Sequence, residues 1–340
     1  MFRTSLLIFI MSLVPSLVFS QGEAEHVNVY THRHYEADAK LFQQFEAETG
    51  IKVNVVTAGA DELIQRLSQE GELSPADILI TADAGRLVYA KELGLLQPFE
   101  SEDIRSVVPA SYRDADGYWT GLTLRGRVIV YDSNHNDGSK LSTYEALVEE
   151  QFSNSLLVRS SANIYNQSLL ASLIAHHGIG MAEEWAAGIV ANMAREPQGN
   201  DRDQMKALIA GEGRYAIVNT YYVGLLQTSD DPYEKEVGDR IGVFFPNQAG
   251  RGTHVNVSGA GIAAYAPNKG NAIKLLEFLL TKQAQEVFAK TNYEYPVRSD
   301  VDLHPVVASW GSFKADELNL SLLGEYNTEA VKIFDKTGWK

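Results

Sequence analysis

The chain of 340 residues contains no cysteine. Disulfide scaffolds, zinc–thiolate sites, iron–sulfur clusters and thiol nucleophiles are therefore excluded together. Basic residues are also scarce: 29 Lys and Arg face 44 Asp and Glu, which gives a formal net charge of −15. A protein this acidic is a poor partner for nucleic acid and for an anionic membrane surface. The length suggests about two domains, large enough to bury their cores without cross-links.

Long apolar runs are rare as well, and the N-terminal one is too short for a transmembrane helix. Arg3 gives a positive start, residues 6–18 form the apolar run, and Val18-Phe19-Ser20 resembles a signal-peptidase site. This pattern predicts a secretory signal peptide over residues 1–20. We therefore expect an exported protein that is not inserted in a membrane.

The rest of the chain alternates between strand-like and helix-like patterns. The first series predicts strands at residues 26–31, 52–57 and 77–81, and helices at 36–49 and 61–70. The second series predicts strands at 127–131, 155–158, 214–218, 240–245 and 259–266, and helices starting at Ser142 and covering 168–177, 181–193 and 271–291. Such alternation favours an α/β fold with a largely parallel sheet. Since no linker separates the two series, we expect residues 126–131 and 259–266 to cross between two lobes.

The common catalytic patterns do not occur in this sequence. There is no G-x-S-x-G elbow, no Walker loop and no H-E-x-x-H motif. His176 and His177 are adjacent in a predicted helix and point about 100° apart, so they cannot both face one metal ion. Composition and motifs thus give no support for a hydrolase or a nucleotide-binding enzyme.

Tyrosine is abundant, with 16 residues, and three clusters follow predicted strands. His34-Tyr35 follows the first strand, Tyr165 follows the strand at 155–158, and Tyr221-Tyr222 follows the strand at 214–218. Ligands of open α/β sheets bind at the carboxyl ends of strands. Two interpretations stay open at this point: the tyrosines are ordinary core or rim aromatics, or they form a binding site.

A tyrosine-rich site would suit a hard trivalent cation. A phenol is a poor ligand when neutral, but a strong local charge forces its deprotonation, and hard cations favour oxygen donors. Three tyrosinates would neutralise Fe³⁺, and a fourth would leave one negative charge for Arg33 or Arg202 to offset. The candidate donors are His34, Tyr35, Tyr165, Tyr221 and Tyr222. A sixth position would hold water.

The sequence resembles the ferric-iron-binding periplasmic proteins of ABC importers, in the branch with a tyrosine-rich site. The resemblance covers essentially the whole mature chain and lies in the motifs VYTHRHYEAD, FEAETGIKVNVV, ADEL, PADILITADAGRL, LRGRVIVY, NTYY and EYPVR. It implies a two-lobed Venus-flytrap fold, the type II periplasmic-binding-protein fold, with a hinge of crossing strands. His34 and Tyr35 would come from lobe one, and the other three candidate ligands from lobe two.

The resemblance also implies how the chain is divided. After the signal peptide at 1–20, the expected segments are 26–125 for lobe one, 126–259 for lobe two, 260–300 for the return to lobe one, and 301–340 as a C-terminal helical segment on lobe two. A second branch of the family uses a glutamate near the position of Glu62. Because Tyr165 supplies the extra phenolate of the first branch, we interpret Glu62 as a charge at a helix N-terminus.

The function implied is binding and delivery. The protein would capture Fe³⁺ as a transported ligand in the interlobe cleft of a monomer. It would carry the ion through the periplasm to an inner-membrane ABC permease, without catalysis and without binding nucleic acid.

Two alternatives remain at this stage. One is a binding protein for a small organic cation such as a polyamine or thiamine, with Tyr221 and Tyr222 as stacking walls. The other is an exported hydrolase that uses Tyr35 or Tyr222. Fold analogy alone does not decide among them, because one fold hosts many ligands.

Overall fold

A computed structural model describes residues 25–340, so the predicted signal peptide lies outside the described residues. The strands are β1 (His26–Thr31), β2 (Lys52–Thr57), β3 (Ile78–Thr81), β4 (Leu96–Gln97), β5 (Trp119–Asp132), β6 (Leu156–Leu157), β7 (Tyr215–Asn219), β8 (Ile241–Phe244), β9 (Val255–Ala263) and β10 (Tyr295–Pro296). The helices are α1 (Glu36–Thr49), α2 (Ala60–Glu70), α3 (Ala84–Glu92), α4 (Glu102–Val107), α5 (Ile164–Asn192), α6 (Asp201–Ile209), α7 (Thr220–Gln227), α8 (Pro232–Arg240), α9 (Lys269–Leu279), α10 (Lys282–Asn292), α11 (Pro305–Ser309), α12 (Ser321–Glu325) and α13 (Asn327–Thr337). None of the helices in this described part is both long and apolar enough to cross a membrane.

The strands follow the order β2-β1-β3-β9-β5-β7-β6. We call the half with β1, β2, β3 and β9 lobe one, and the half with β6, β7 and β8 lobe two. Pairing is parallel within β2-β1-β3 and between β6 and β7, whereas β9 and β5 run antiparallel to their neighbours. The sheet is therefore mixed, with its parallel parts at the two ends.

Strand β5 joins the two lobes. It pairs with β9 from Trp119 to Gly126, and with β7 from Arg127 to Val130. The change of partner lies at Gly126, the first residue of the predicted crossover. The second crossover strand, β9, starts at Val255, before the predicted start of 259, and pairs with β5 and β3. The segment boundaries predicted from the sequence stay a prediction, which these pairings support at residue 126.

The prediction of a single helix over residues 271–291 is wrong. The structure has two helices there, α9 and α10, with a break at Leu280 and Thr281. The hydroxyl of Thr281 accepts a hydrogen bond from the backbone N–H of Ala284 and so caps α10. The helix predicted from Ser142 is instead a short 3₁₀ turn at Glu145–Val148.

Helix α5 contains a sharp break. Gly178 adopts φ 81°, ψ 167°, a conformation outside the helical region, and divides the element into two helical pieces. This agrees with the two separate helices predicted on either side of residues 178–180. The N-terminal piece carries Tyr165 and a run of buried aliphatic side chains.

The C-terminal segment contacts both lobes. Helix α13 packs against α5, and α12 packs against α3 as well as α5. The contact between α12 and α3 is very close: a Cβ on Gly324 would lie 2.4 Å from the Cβ of Val88. One hydrophobic cluster extends through this region and includes Leu87, Leu170 and Leu323. The segment therefore also packs on α3, and its placement on lobe two stays a prediction.

We expect Gly324→Ala to lower the free energy of unfolding by about 1–3 kcal/mol, because the added methyl overlaps Val88. Gly270→Ala is the matched control, since Gly270 lies in α9 and a Cβ there meets nothing within 4 Å. Urea unfolding of both variants measures the difference. Equal stability of the two variants would contradict the close packing of α12 on α3.

Candidate metal centre

The structure brings the four predicted tyrosines together between the lobes. Tyr35 is the N-cap residue of α1, Tyr165 is the second residue of α5, and Tyr221 and Tyr222 are the second and third residues of α7. Each helix follows a strand or a short loop at the edge of the sheet that faces the cleft. His34 lies directly before Tyr35 and is exposed.

Local sequence places these side chains. Asn163 caps α5, because its side chain accepts a hydrogen bond from the N–H of Tyr165 at 3.1 Å. Asn219 ends β7 and is the N-cap residue of α7, so Tyr221 and Tyr222 must lie in the first helical turn. The N-termini of α1, α5 and α7 therefore point toward one region. Their partial positive charges favour anionic ligands and phenolates there.

The phenols are in mutual contact. The hydroxyl oxygens of Tyr165 and Tyr221 are 3.2 Å apart. The ring centroids of Tyr221 and Tyr222 are separated by 4.1 Å. Tyr35, from lobe one, meets the edge of Tyr221, from lobe two, with 6.2 Å between ring centroids. Four phenol groups thus form one cluster across the lobe boundary.

A cavity of about 720 Å³ opens beside this cluster. His34, Tyr35, Tyr165 and Tyr222 line it. Tyr221 lies beneath them and is only 2% exposed. The ring of His34 is 5.4 Å from the ring of Tyr35, between centroids. His34 is therefore near the tyrosines, at the exposed side of the group.

Burial favours the neutral form of Tyr35, Tyr221 and Tyr222. Burial, followed by repulsion from negative charge on Tyr165 and Glu294, raises the pKa of Tyr35 to about 12. Burial and the nearby phenolates also raise the pKa of Tyr221 well above its ordinary value, and the pKa of Tyr222 rises for the same reasons. Only a strong positive charge would convert this group to phenolates near pH 7.

Three arginines surround the ring of Tyr165. The guanidinium carbons of Arg125, Arg127 and Arg159 lie 5.4, 5.9 and 5.6 Å from its centroid. Arg127 and Arg159 share the buried carboxylate of Asp201, at 2.7 and 3.0 Å. The surroundings of Tyr165 therefore carry excess positive charge, which suits a phenolate.

The two arginines predicted as charge-balancing groups occupy different places. Arg33 is buried, and its guanidinium lies 4.8 Å from the centroid of Tyr35. It forms ion pairs with Asp38 and Glu294, each at 3.1 Å. Arg202 lines the cavity and is partly exposed, with Glu234 at 3.8 Å. Arg33 thus contacts the ring of Tyr35 from the protein interior, whereas Arg202 lies at the cavity.

Sequence reasoning missed several residues of this site. Arg125, Arg127 and Arg159 were not predicted, although the first two lie in the LRGRVIVY motif. His32 was missed as well; it lines the cavity, and burial lowers its pKa. The spacing of Arg125 and Arg127, two apart on one strand, was the available signal for a shared face.

Other candidates lie away from the cluster. Glu62 is exposed in the first turn of α2 and does not line the cavity. His176 pairs with Asp316 at 2.7 Å, and His177 pairs with Glu145 at 2.8 Å. Across residues 25–340, no group of three or more His, Asp or Glu side chains is arranged to hold a metal ion.

Comparison with known proteins identifies relatives along most of the chain. A model of the family described as bacterial extracellular solute-binding protein matches residues 74–315. The chain is 48% identical to Iron uptake protein A1 of Synechocystis sp. over 319 residues, which cover 94% of this chain and 89% of that protein.

Solved structures show the same fold. The Trichodesmium protein IdiA (FutA), in complex with iron and citrate ligands, matches with a TM-score of 0.90 at 47% identity, covering 93% of this chain and 100% of that one. The ferric binding protein from Campylobacter jejuni matches with a TM-score of 0.89 at 45% identity, covering 92% and 100%. The predicted two-lobed type II fold is confirmed, and the chain belongs to the family of bacterial extracellular solute-binding proteins.

Proposed function

We propose that this protein captures ferric iron in the cleft between its lobes and delivers it to an ABC-type importer. The observation that carries the proposal is the clustering of four tyrosine side chains, with His34 beside them, at the lobe boundary. The proposed ligands are His34, Tyr35, Tyr165, Tyr221 and Tyr222. The iron is cargo, not a catalytic cofactor.

The donor set selects for a hard trivalent ion. Four phenolates balance the three charges of Fe³⁺ with one negative charge in excess, and the arginines around Tyr165 offset that excess. A divalent ion would leave two negative charges in a buried site, and copper(I) prefers sulfur ligands that the site lacks. Charge and donor hardness therefore agree on ferric iron.

Binding and lobe closure are the same event in this arrangement. Tyr35 belongs to lobe one, whereas Tyr165, Tyr221 and Tyr222 belong to lobe two. A metal ion that binds both sets of ligands holds the lobes together, and the ligands separate when the lobes part. A permease would thus recognise the loaded protein by its closed shape.

The relatives support the same function. They are named as an iron uptake protein, as a protein in complex with iron and citrate, and as a ferric binding protein. These names support a non-enzymatic role and do not support the polyamine or thiamine alternative. Tyr221 is also too buried to serve as a wall for an organic cation.

The remaining parts of the proposal concern location and partners. We propose that the predicted signal peptide directs the chain to the periplasm, where it acts as a monomer and docks on an inner-membrane permease. The family of extracellular solute-binding proteins supports export. The net charge of −15 argues against nucleic acid as a partner.

Titration of metal-free protein with ferric citrate should produce a visible phenolate-to-iron charge-transfer band that saturates at about one equivalent, because tyrosinates coordinate the ion. Tyr222→Phe removes one phenolate and should weaken or shift the band. Tyr295→Phe is the control, since Tyr295 is also buried and its hydroxyl has no hydrogen-bond partner within residues 25–340. A folded wild-type protein without a band would refute the iron proposal.

Iron binding should also release protons. The pKa of Tyr35 is about 12 in the metal-free site, so this phenol is protonated at pH 7 and must lose its proton to coordinate. Affinity should therefore fall as the pH is lowered. In a pH-stat titration, Tyr222→Phe should release about one proton fewer per iron than the wild type. Equal proton release by Tyr222→Phe, Tyr295→Phe and the wild type would contradict coordination by Tyr222.

A further inference from the structure

A buried carboxylate outside the tyrosine cluster is not among the proposed iron ligands. Asp83 follows β3, is the N-cap residue of α3 and is 1% exposed. Its Oδ2 accepts hydrogen bonds from Ser168 Oγ at 2.6 Å and from Asn256 Nδ2 at 2.7 Å. Its Oδ1 has no hydrogen-bond partner among the described residues.

The partners of Asp83 belong to different parts of the fold. Asp83 lies in lobe one, Asn256 lies on the crossover strand β9, and Ser168 lies on α5. Ser168 is three residues after Tyr165, about one helical turn farther along α5. The carboxylate therefore connects the tyrosine-bearing start of α5 to lobe one and to the crossover strand.

A second connection starts from the same turn. The guanidinium of Arg125 donates a hydrogen bond to the carbonyl oxygen of Ala82, the residue before Asp83. The same guanidinium lies 5.4 Å from the ring centroid of Tyr165. The turn of residues 82–83 is thus connected to Tyr165 by two contacts. One is the hydrogen bond to Ser168 on the same helix as Tyr165, and the other is Arg125, which lies over the ring of Tyr165.

Burying a carboxylate such as that of Asp83 lowers the stability of the folded protein. Burial raises the pKa of Asp83, which reflects the cost of holding a charge away from water. Its Oδ1 has no hydrogen-bond partner among the described residues, whereas most buried polar atoms in proteins have one. Gly85 also leaves space for it, since a Cβ there would lie 2.9 Å from Oδ1. Well-packed apolar side chains would often stabilise the same site at least as well. The contact is therefore better explained by positioning than by stability.

We infer that Asp83 is a positioning residue for iron capture, which acts through Ser168 to hold the first turns of α5, and with them Tyr165, in the closed arrangement of the cleft. The inference rests on the proposed function. Loss of the contact removes one of the links between α5 and lobe one, so the closed, loaded form opens more readily. The iron ligands themselves are unchanged.

Ser168→Ala tests this inference. The variant is loaded with iron and mixed with excess EDTA, and the decay of the charge-transfer band gives the rate of release. We expect release about tenfold faster than in the wild type, the effect of losing a hydrogen bond to a charged group. The position of the band should not change, because all ligands remain. Ser168→Thr retains the hydroxyl and should restore slow release.

Ser172→Ala is the matched control. Ser172 is also buried and lies about one turn farther along α5, and its hydroxyl donates within the helix, to Leu169 O at 2.7 Å. We expect this variant to release iron at the wild-type rate. If Ser168→Ala does not fold, Asp83→Asn gives the same test, since it removes the charge of the acceptor and should also accelerate release.

The outcomes separate the two proposals. Release from Ser168→Ala at the wild-type rate overturns the role of Asp83 and leaves iron binding intact. Equal acceleration by Ser168→Ala and Ser172→Ala also overturns it, because the effect then comes from a weakened helix. A wild-type protein that develops no band overturns the proposed function and this inference with it.

Discussion

Four phenols share one desolvated space, and the rest of the site follows from that constraint. Burial raises the pKa of Tyr35, Tyr221 and Tyr222 and so favours their neutral form until a highly charged cation arrives. Once they ionise, their mutual repulsion must be balanced by the metal and by the surrounding arginines. With the proposed ligands, the site would discriminate by charge: an ion would have to be charged enough to displace the protons and small enough to lie among the phenols.

The fold makes this arrangement possible by ending strands where helices begin. Tyr35, Tyr165 and the pair Tyr221-Tyr222 lie in or beside the first turn of three helices. Backbone N–H groups at these turns are not used within the helix and create a positive potential. The same geometry that places the tyrosines therefore also favours their ionised form. Arg33 is paired with two carboxylates, whereas Arg127 and Arg159 share one, so the excess positive side-chain charge lies around Tyr165.

The tyrosine cluster could be predicted from the sequence because its information is local. Tyr35 and Tyr221 each follow a recognisable strand, and strand ends meet at one edge of a sheet. The arginines could not be predicted in the same way. Arg127 is held by Asp201, 74 residues away, and Arg33 is held by Glu294, 261 residues away, so only the folded chain shows where they point. The helical spacing of apolar residues also continues through the break at Thr281, because a capped helix start leaves that spacing unchanged. The sequence pattern therefore did not reveal that one helix ends and another begins there.

The continuous strand β5 determines how the two lobes can move. One strand hydrogen-bonded on both sides of Gly126 is not a free pivot, since rotation about a point would break its ladders. Movement of one lobe relative to the other must instead be distributed as twisting and bending along the strand. The N–H of Gly126 bonds the hydroxyl of Thr220 at 3.2 Å, directly before Tyr221 and Tyr222. A change in the twist of β5 at Gly126 would therefore act directly beside the helix start that carries Tyr221 and Tyr222.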